Sequence, residues 1–179
     1  MKQWMIIGII ALVLIGAYVW NRNKNVQPIG EQVPPVEEII TQEDGTVVKR
    51  VGDMTEELSQ TEMQAKKQET DDKTKDVEAV ILNPELGLKG SGSSKSVFTD
   101  GTYYQKITVN NLSALEKGYY YQAWLQKSDG STISIGRVEM TTANSGQLYY
   151  QAKEDRIGAK VIISKQMEGQ KEMGEIILK

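Results

Sequence analysis

The pattern of apolar and polar positions divides the chain into three stretches. Residues 4–20 form one apolar run, WMIIGIIALVLIGAYVW, with no charge between Lys2 and Arg22. Residues 25–76 are mostly polar, and residues 77–179 alternate short apolar or aromatic runs with turn-forming residues. This order predicts a mainly β protein with an N-terminal transmembrane helix, a flexible linker and a β-rich domain.

The apolar run has the length and the flanking residues of a membrane-spanning helix. Its length corresponds to about 25 Å of helix, enough to cross a thin hydrocarbon core. Trp4, Tyr18 and Trp20 stand near its ends, where amphipathic rings favour the membrane–water interface. A cleaved signal peptide is the alternative, but the end of the run lacks the small-x-small cleavage pattern. We therefore expect a short cytoplasmic stub and an uncleaved signal anchor within residues 1–24.

The charges flanking the anchor leave its orientation nearly undecided. Lys2 stands on one side, and Arg22 and Lys24 stand on the other. Long tails are translocated largely regardless of charge, so the length of the C-terminal part favours its export. We expect a single-pass protein of the plasma membrane, held in the bilayer through residues 4–20, with its C-terminal domain extracytoplasmic.

Residues 25–76 have the composition of a disordered linker. Residues 21–76 carry 8 Lys and Arg against 13 Asp and Glu, a net charge of −5, and residues 25–76 contain no aromatic residue. Such a segment buries too little apolar surface to offset the entropy lost on ordering. We expect an acidic, largely disordered linker over residues 25–76.

Two parts of this linker carry weak signals of local structure. Residues 39–41 and 46–48 flank Asp44-Gly45, which favours a β-hairpin. An isolated hairpin is marginal in water, so we expect it to be transient unless it docks. Residues 55–72 form a polar run that favours a fraying helix.

Residues 77–179 predict an antiparallel β-sandwich or barrel, and we favour a sandwich of about seven strands. Asp100-Gly101, Asp129-Gly130 and residues 144–146 mark turns between the runs. The candidate strands are 77–83, 102–109, 119–126, 131–140, 147–152, 159–165 and 174–178, with a shorter one at 95–99.

Alternation within these runs predicts the core and one irregularity. Ile133 and Ile135 have one parity, whereas Val138 and Met140 have the other, which indicates a bulge at Gly136-Arg137. The predicted core comprises Tyr103, Ile107, Val109, Tyr121, Trp124 or its neighbours, Ile133, Ile135, Val138, Val161, Ile163, Ile176 and Leu178.

The amino-acid composition excludes several classes of catalytic and metal-binding site. The chain has no Cys and no His, which removes disulfides, thiolate nucleophiles, the usual general base and most zinc sites. The net charge of −3 gives no indication of nucleic-acid binding. We therefore expect a non-enzymatic protein that needs no cofactor or metal and has no nucleic-acid partner.

Three short motifs have residue types that occur in binding or catalytic sites. Residues 87–96 approach a phosphate-binding loop but have the wrong spacing and precede a strand, which favours a flexible, exposed connection. Glu154-Asp155-Arg156 favours a solvated turn. In residues 119–124, YYYQAW, packing within a sheet accounts for most of the rings. Alternation nevertheless leaves Tyr119 or Tyr120 as a candidate exposed binding surface.

One part of the domain resembles a known family. The run GYYYQAWL at residues 118–125, followed by Asp129-Gly130 and Ile135-Gly136, resembles the extracytoplasmic C-terminal domain of the anti-sigma-K factor RskA family. The resemblance implies a β-sandwich outside the membrane, with fold-defining roles for Tyr121, Trp124, Leu125 and Gly136. The chain departs from the family before the membrane segment, where three residues replace the sigma-binding domain, so anti-sigma activity does not carry over.

These observations favour a membrane-anchored, extracytoplasmic recognition module. Its partner would be an unidentified protein or an envelope polymer. The alternative is a structural subunit of a cell-envelope membrane complex, with the single helix packed against partner helices.

Overall fold

Turn residues between the apolar runs separate twelve strands and one helix in the computed structural model, which describes residues 37–42 and 46–179. The mainly β prediction is confirmed. The strands are β1 (Glu37–Thr41), β2 (Val47–Val51), β3 (Met54–Glu57), β4 (Val80–Leu82), β5 (Ser91–Thr99), β6 (Thr102–Asn110), β7 (Tyr119–Gln126), β8 (Thr132–Arg137), β9 (Glu139–Met140), β10 (Gly146–Ala152), β11 (Lys160–Met167) and β12 (Glu175–Leu178), and the helix is α1 (Gln60–Thr74).

The predicted anchor, with Trp4, Tyr18 and Trp20, lies outside the described residues. So do residues 25–36 of the predicted linker and the predicted hairpin turn at Asp44-Gly45. Within the part of the chain that is described, no helix has the length and apolar character needed to cross a bilayer.

The strands form one nearly closed sheet instead of the two separate layers of a sandwich. The main path runs β12-β11-β7-β8-β1-β10-β6-β5-β4. Residues just beyond β4 then pair with β12, since the amide of Asn83 donates to the carbonyl of Lys179 at 2.9 Å and the amide of Glu85 to that of Ile177 at 3.0 Å. This contact joins the two ends of the path, so the core lies inside a single curved sheet.

The expectation of a disordered linker is wrong for residues 37–42 and 46–76. The hairpin β1–β2 forms and docks, with Ile39, Ile40, Val47 and Val48 all at most 9% exposed. The prediction considered this segment alone, whereas its few apolar side chains share a core and a helix supplied by the rest of the chain. Residues 37–42 and 46–76 accordingly belong to the same compact unit as residues 77–179.

The position of β1 explains why this segment is ordered. Its first half pairs antiparallel with β10, its whole length pairs antiparallel with β2, and its last residue pairs in parallel with β8 through Thr41 and Gly136. The expected all-antiparallel sheet therefore has one parallel contact. Because β1 lies within the main path, the segment that carries it belongs to the domain.

Helix α1 begins at Gln60, directly after its N-cap residue Ser59. Ser59 accepts a hydrogen bond from the amide of Glu62, whose carboxylate accepts one from the amide of Ser59 at 3.0 Å. The helix lies over β5, β6 and β10, but its only buried residues are Thr70 and Thr74. The helix predicted at residues 55–72 is thus present, but it begins at Gln60, and residues 55–57 belong to β3.

The core agrees with the alternation pattern except at one position. Of Trp124 and its neighbours, the neighbours Ala123 and Leu125 enter the core, and Trp124 lies on the opposite face. Ile177 replaces Ile176 because the β11–β12 register shifts at this point. The predicted bulge is confirmed, since the β7–β8 register shifts opposite Gly136.

Residues 91–96 are not the flexible connection expected from their serines and glycines. They belong to β5, which pairs with β6 along its whole length. A Cβ at Gly92 would lie 3.1 Å from Leu178 and 3.2 Å from Leu82, so the small residue allows two core side chains to approach.

Candidate functional site

Strand β7 sends its odd-numbered side chains into the core and its even-numbered ones to the outer face of the sheet. The outward set comprises Tyr120, Gln122 and Trp124, which are 2%, 5% and 8% exposed. The prediction that Tyr120 is exposed is therefore wrong, and Tyr119 is half-buried. The outward residues nevertheless form one wall of a cavity.

This cavity, which we call the aromatic cleft, has a volume of about 570 Å³. That size lies within the usual range of small-molecule sites. The cleft spans the outer faces of β7, β8 and β11, the end of β1 and the β11–β12 connection. Its lining comprises Ile40, Thr41, Gln42, Tyr120, Gln122, Trp124, Ser134, Gly136, Gln166, Gln170 and Lys171.

Hydrogen bonds fix the polar groups of the aromatic cleft. Gln122 Nε2 donates to Ser134 Oγ at 2.6 Å, linking β7 to β8. Trp124 Nε1 donates to Ser164 Oγ at 2.9 Å, and Ser164 Oγ donates to Gln166 Oε1 at 3.3 Å. Because these groups satisfy one another, the indole and the two carboxamides hold defined orientations.

Gln166 also holds the β11–β12 connection, which contains Lys171, by hydrogen bonds. Its Oε1 accepts from the amide of Gly174 at 2.7 Å, while its Nε2 donates to the carbonyls of Gln170 (3.1 Å) and Glu172. Gln166 is 1% exposed, so this bonding satisfies a buried carboxamide. The β11–β12 connection is thereby fixed beside the cleft.

Two cations stack on the tyrosines of β7. The guanidinium of Arg137 lies 5.2 Å from the ring centre of Tyr120, and Lys165 Nζ lies 4.5 Å from that of Tyr119. Cation–π contacts of this kind hold aromatic side chains in place. Tyr119 does not line the aromatic cleft, so of the two predicted binding tyrosines the structure brings one to the site.

The residues named from the family motif separate into different environments. Tyr121 and Leu125 are buried in the core, and Tyr121 Oη donates to the carbonyl of Ser113 at 2.7 Å. Gly136 has φ +128°, and a Cβ there would lie 2.9 Å from the amide nitrogen of Thr41. Gly136 therefore permits the contact between β8 and β1, whereas Trp124 belongs to the cleft.

A second polar cluster lies on the inner side of the sheet. The carboxylate of Glu38 accepts from Arg50 Nε (3.1 Å), from Tyr150 Oη (2.6 Å) and from Arg156. Burial raises the pKa of Tyr150, and Glu38 raises it further. The cluster joins β1, β2 and β10 to the loop before β11, which makes it a structural centre.

Arg156 corrects the prediction of a solvated turn at Glu154-Asp155-Arg156. Its side chain is 7% exposed and pairs with Glu38 and, at 3.1 Å, with Glu154. The partner Glu38 is distant in sequence, so the local pattern carried no sign of this burial.

The chemistry of the aromatic cleft is that of binding groups. Aromatic rings, carboxamides and hydroxyls line it, and its described lining residues include one ammonium, Lys171, and no carboxylate. Within residues 37–42 and 46–179, no group of His, Cys, Asp and Glu side chains is placed to hold a metal ion. Comparison with protein-family models, curated proteins and solved structures finds no match.

Sequence reasoning missed most of the cleft. Alternation with Tyr120 and Trp124 was sufficient to place Gln122, and the same rule along β11 places Ser164 and Gln166. No local signal brings the end of β1 to this site, because that contact depends on pairing between distant strands.

Proposed function

We propose that this protein is a membrane-anchored, extracytoplasmic recognition module that binds an envelope polymer or a protein partner in the aromatic cleft. The observation that carries the proposal is the cleft itself, where Tyr120, Gln122 and Trp124 form a row of fixed aromatic and amide groups. Sites of this composition are suited to holding a ligand by shape and hydrogen bonding.

The proposal is one of binding without catalysis. Glutamine, serine and threonine side chains donate and accept hydrogen bonds but do not exchange protons near neutral pH. The sequence holds no His and no Cys, the residues that most often act as base or nucleophile.

The proposed anchor is the apolar run at residues 4–20, and the ordered β1 shortens the tether predicted from sequence. Residues 25–36 separate the proposed anchor region from β1, and a chain of twelve residues spans at most about 43 Å. The module would therefore work close to the bilayer surface. The resemblance of residues 118–136 to the RskA family supports the assignment as an extracytoplasmic outer domain.

A photo-crosslinking experiment in intact cells tests this function with the full chain. A photoreactive amino acid replaces Lys171 on the rim of the aromatic cleft or, as a control, Glu56 on the exposed strand β3. We expect a defined adduct from position 171 and none from position 56. Equal labelling at both positions, or none at 171, would contradict recognition at the cleft.

Protease treatment of the same cells tests the placement. We expect added protease to remove the domain from intact cells. Protection that is lost only after permeabilisation would show that the domain faces the cytoplasm.

A further inference from the structure

We propose that the ligand of the aromatic cleft is a glycan chain of largely uncharged sugar units. This inference rests on the proposed recognition function and adds the chemical class of the ligand. Three features carry it: the spacing of the aromatic residues, the hydrogen-bonding groups between them, and the charge of the lining.

The aromatic residues are spaced for an extended ligand. Residues on one face of a strand lie about 7 Å apart, so the row from Tyr120 through Gln122 to Trp124 extends over about 13 Å. Sugar rings have apolar C–H faces that pack on aromatic rings. Tyr120 is 2% exposed and carries Arg137 on its ring, so Trp124, at 8%, offers the apolar surface for a sugar ring. The length of the row fits a chain of several sugar units better than a single small molecule.

The groups between the rings match sugar hydroxyls, which both donate and accept. Gln122 Nε2 is committed to Ser134 Oγ, and no hydrogen bond within the described ranges uses Gln122 Oε1 or the hydroxyl proton of Ser134. One acceptor and one donor thus remain side by side. Because the bond between Gln122 and Ser134 already orients both groups, a ligand would lose little further side-chain entropy on binding.

The charge of the lining argues against ionic ligands. Among the lining residues that the structure describes, Lys171 is the single cation and none is a carboxylate. A basic peptide requires acidic partners, and a polyphosphate requires several cations or a series of backbone amides. Neutral hydroxyl-rich chains require neither, and Lys171 would tolerate an occasional acidic substituent.

The geometry also argues against an extended peptide that pairs with β7. A peptide that extends a sheet needs an unpaired strand edge. Strand β7 is paired on both edges, with β8 and with β11. The cleft therefore offers side chains of a sheet face and not the backbone of β7.

Binding by the full-length protein in lipid nanodiscs tests the inference. The protein is applied to an array of neutral and acidic oligosaccharides and to an extended octapeptide of Thr and Val. The tetrasaccharide with the strongest signal is then titrated by calorimetry. We expect neutral oligosaccharides to be retained and the octapeptide not to be retained.

Matched variants locate the binding. Gln122→Ala and Ser134→Ala each remove one partner of the orienting bond, and we expect each to weaken tetrasaccharide binding by about tenfold or more. Gln126→Ala lies on the same strand and the same face but outside the lining, so its affinity should stay within about twofold of the wild type. Circular dichroism of each variant confirms that it is folded.

The outcomes separate the ligand class from the function. Retention of the octapeptide or of acidic oligosaccharides alone would overturn the glycan proposal, and so would equal binding by the Gln122→Ala variant. If no oligosaccharide is retained while position 171 still gives a crosslinked adduct in cells, the glycan proposal fails and the recognition function stands. If both results are negative, both proposals fail.

Discussion

Two regions of the outer sheet surface use similar residues in different ways. On β6 and β10, outward tyrosine, lysine and glutamine side chains contact α1. On β7 and β11, outward tyrosine, tryptophan and glutamine side chains line the aromatic cleft, and within residues 37–42 and 46–179 no helix covers them. The first set is Tyr104, Lys106, Tyr149 and Gln151, and the second is Tyr120, Gln122, Trp124 and Gln166.

The helix-covered face shows how such residues hold a polar segment. Tyr104 Oη donates to Glu69 Oε1 at 2.8 Å, and Gln151 Nε2 donates to Thr70 Oγ1 at 3.0 Å and to the carbonyl of Lys66 at 3.1 Å. The helix has almost no apolar face, so these polar contacts position it. The aromatic cleft presents comparable groups without a helix, which is why we assign it to a ligand.

The largest expected effect comes from β1, which supports both faces. Ile39 lies beside α1, whereas Ile40 and Thr41 line the aromatic cleft. Glu38→Ala removes the carboxylate shared by Arg50 and Arg156. Because the substitution leaves two guanidinium groups without this partner, we expect the free energy of unfolding to fall by about 3–5 kcal/mol in urea titrations.

Glu37→Gln is the matched control for this change. Glu37 pairs with Lys49 at 3.3 Å, but both side chains are more than one-third exposed. An exposed pair contributes less than about 1 kcal/mol, so a similar loss in the two variants would contradict a special role for Glu38.

A smaller effect is expected where β8 meets β1. Gly136→Ala adds a Cβ within 3.0 Å of the backbone nitrogen and oxygen of Thr41, at a φ of +128°. Backbone strain of this kind costs about 1–3 kcal/mol, and the same change should weaken binding in the cleft because Thr41 and Gly136 line it. Gly130→Ala is the control for this change. Gly130 also has a positive φ (+85°), but a Cβ there would meet open space, so the variant has backbone strain without a close contact.

Two glutamines compare the faces directly, since Gln122 and Gln151 are both 5% exposed. Gln151→Ala should lower the free energy of unfolding by about 1–3 kcal/mol, because it leaves the polar contacts of α1 incomplete. Gln122→Ala should cost less than about 1 kcal/mol, because it removes one bond to the exposed Ser134. Thermal unfolding of both variants checks this order, and a larger loss at Gln122 would show that the cleft is mainly structural.

Features that depend on residues close in sequence could be predicted from the sequence. Alternation placed Tyr121, Ile135 and most of the core correctly, and Gly136 marked the bulge. These features depend on neighbouring residues or on a two-residue period. The helix predicted within residues 55–72 likewise depends on a local feature, the capping pair Ser59 and Glu62.

The errors concern contacts between distant segments. The composition of residues 25–76 could not show that β1 enters the sheet between β8 and β10. Local sequence likewise could not show that Arg156 reaches Glu38. Long-range pairing decides such features, and it also assembles most of the aromatic cleft.

The smallest expected effect is a pH dependence confined to the helix-covered face. Burial raises the pKa of Glu69, but hydrogen bonds from Lys66 and Tyr104 outweigh burial, so the net shift is downward from 4.5. A lowered pKa in the folded state means that ionised Glu69 stabilises the fold above about pH 4.5 and that this contribution disappears as the pH falls through the folded-state pKa. Because Glu69 is partly exposed, the contribution should stay below about 1 kcal/mol.

Tyr104→Phe isolates this contribution, because it removes the hydroxyl that donates to Glu69. The difference in unfolding free energy between the wild type and this variant should be about 0.5–1 kcal/mol at pH 7 and should shrink below pH 4. Ligand binding in the aromatic cleft should change little over the same interval, because none of its described lining residues is a carboxylate. If the difference persisted at pH 3, the bond from Tyr104 to ionised Glu69 would not be what holds α1 at this point. The contrast between the two faces would then rest on the contacts of Lys106, Tyr149 and Gln151 with the helix.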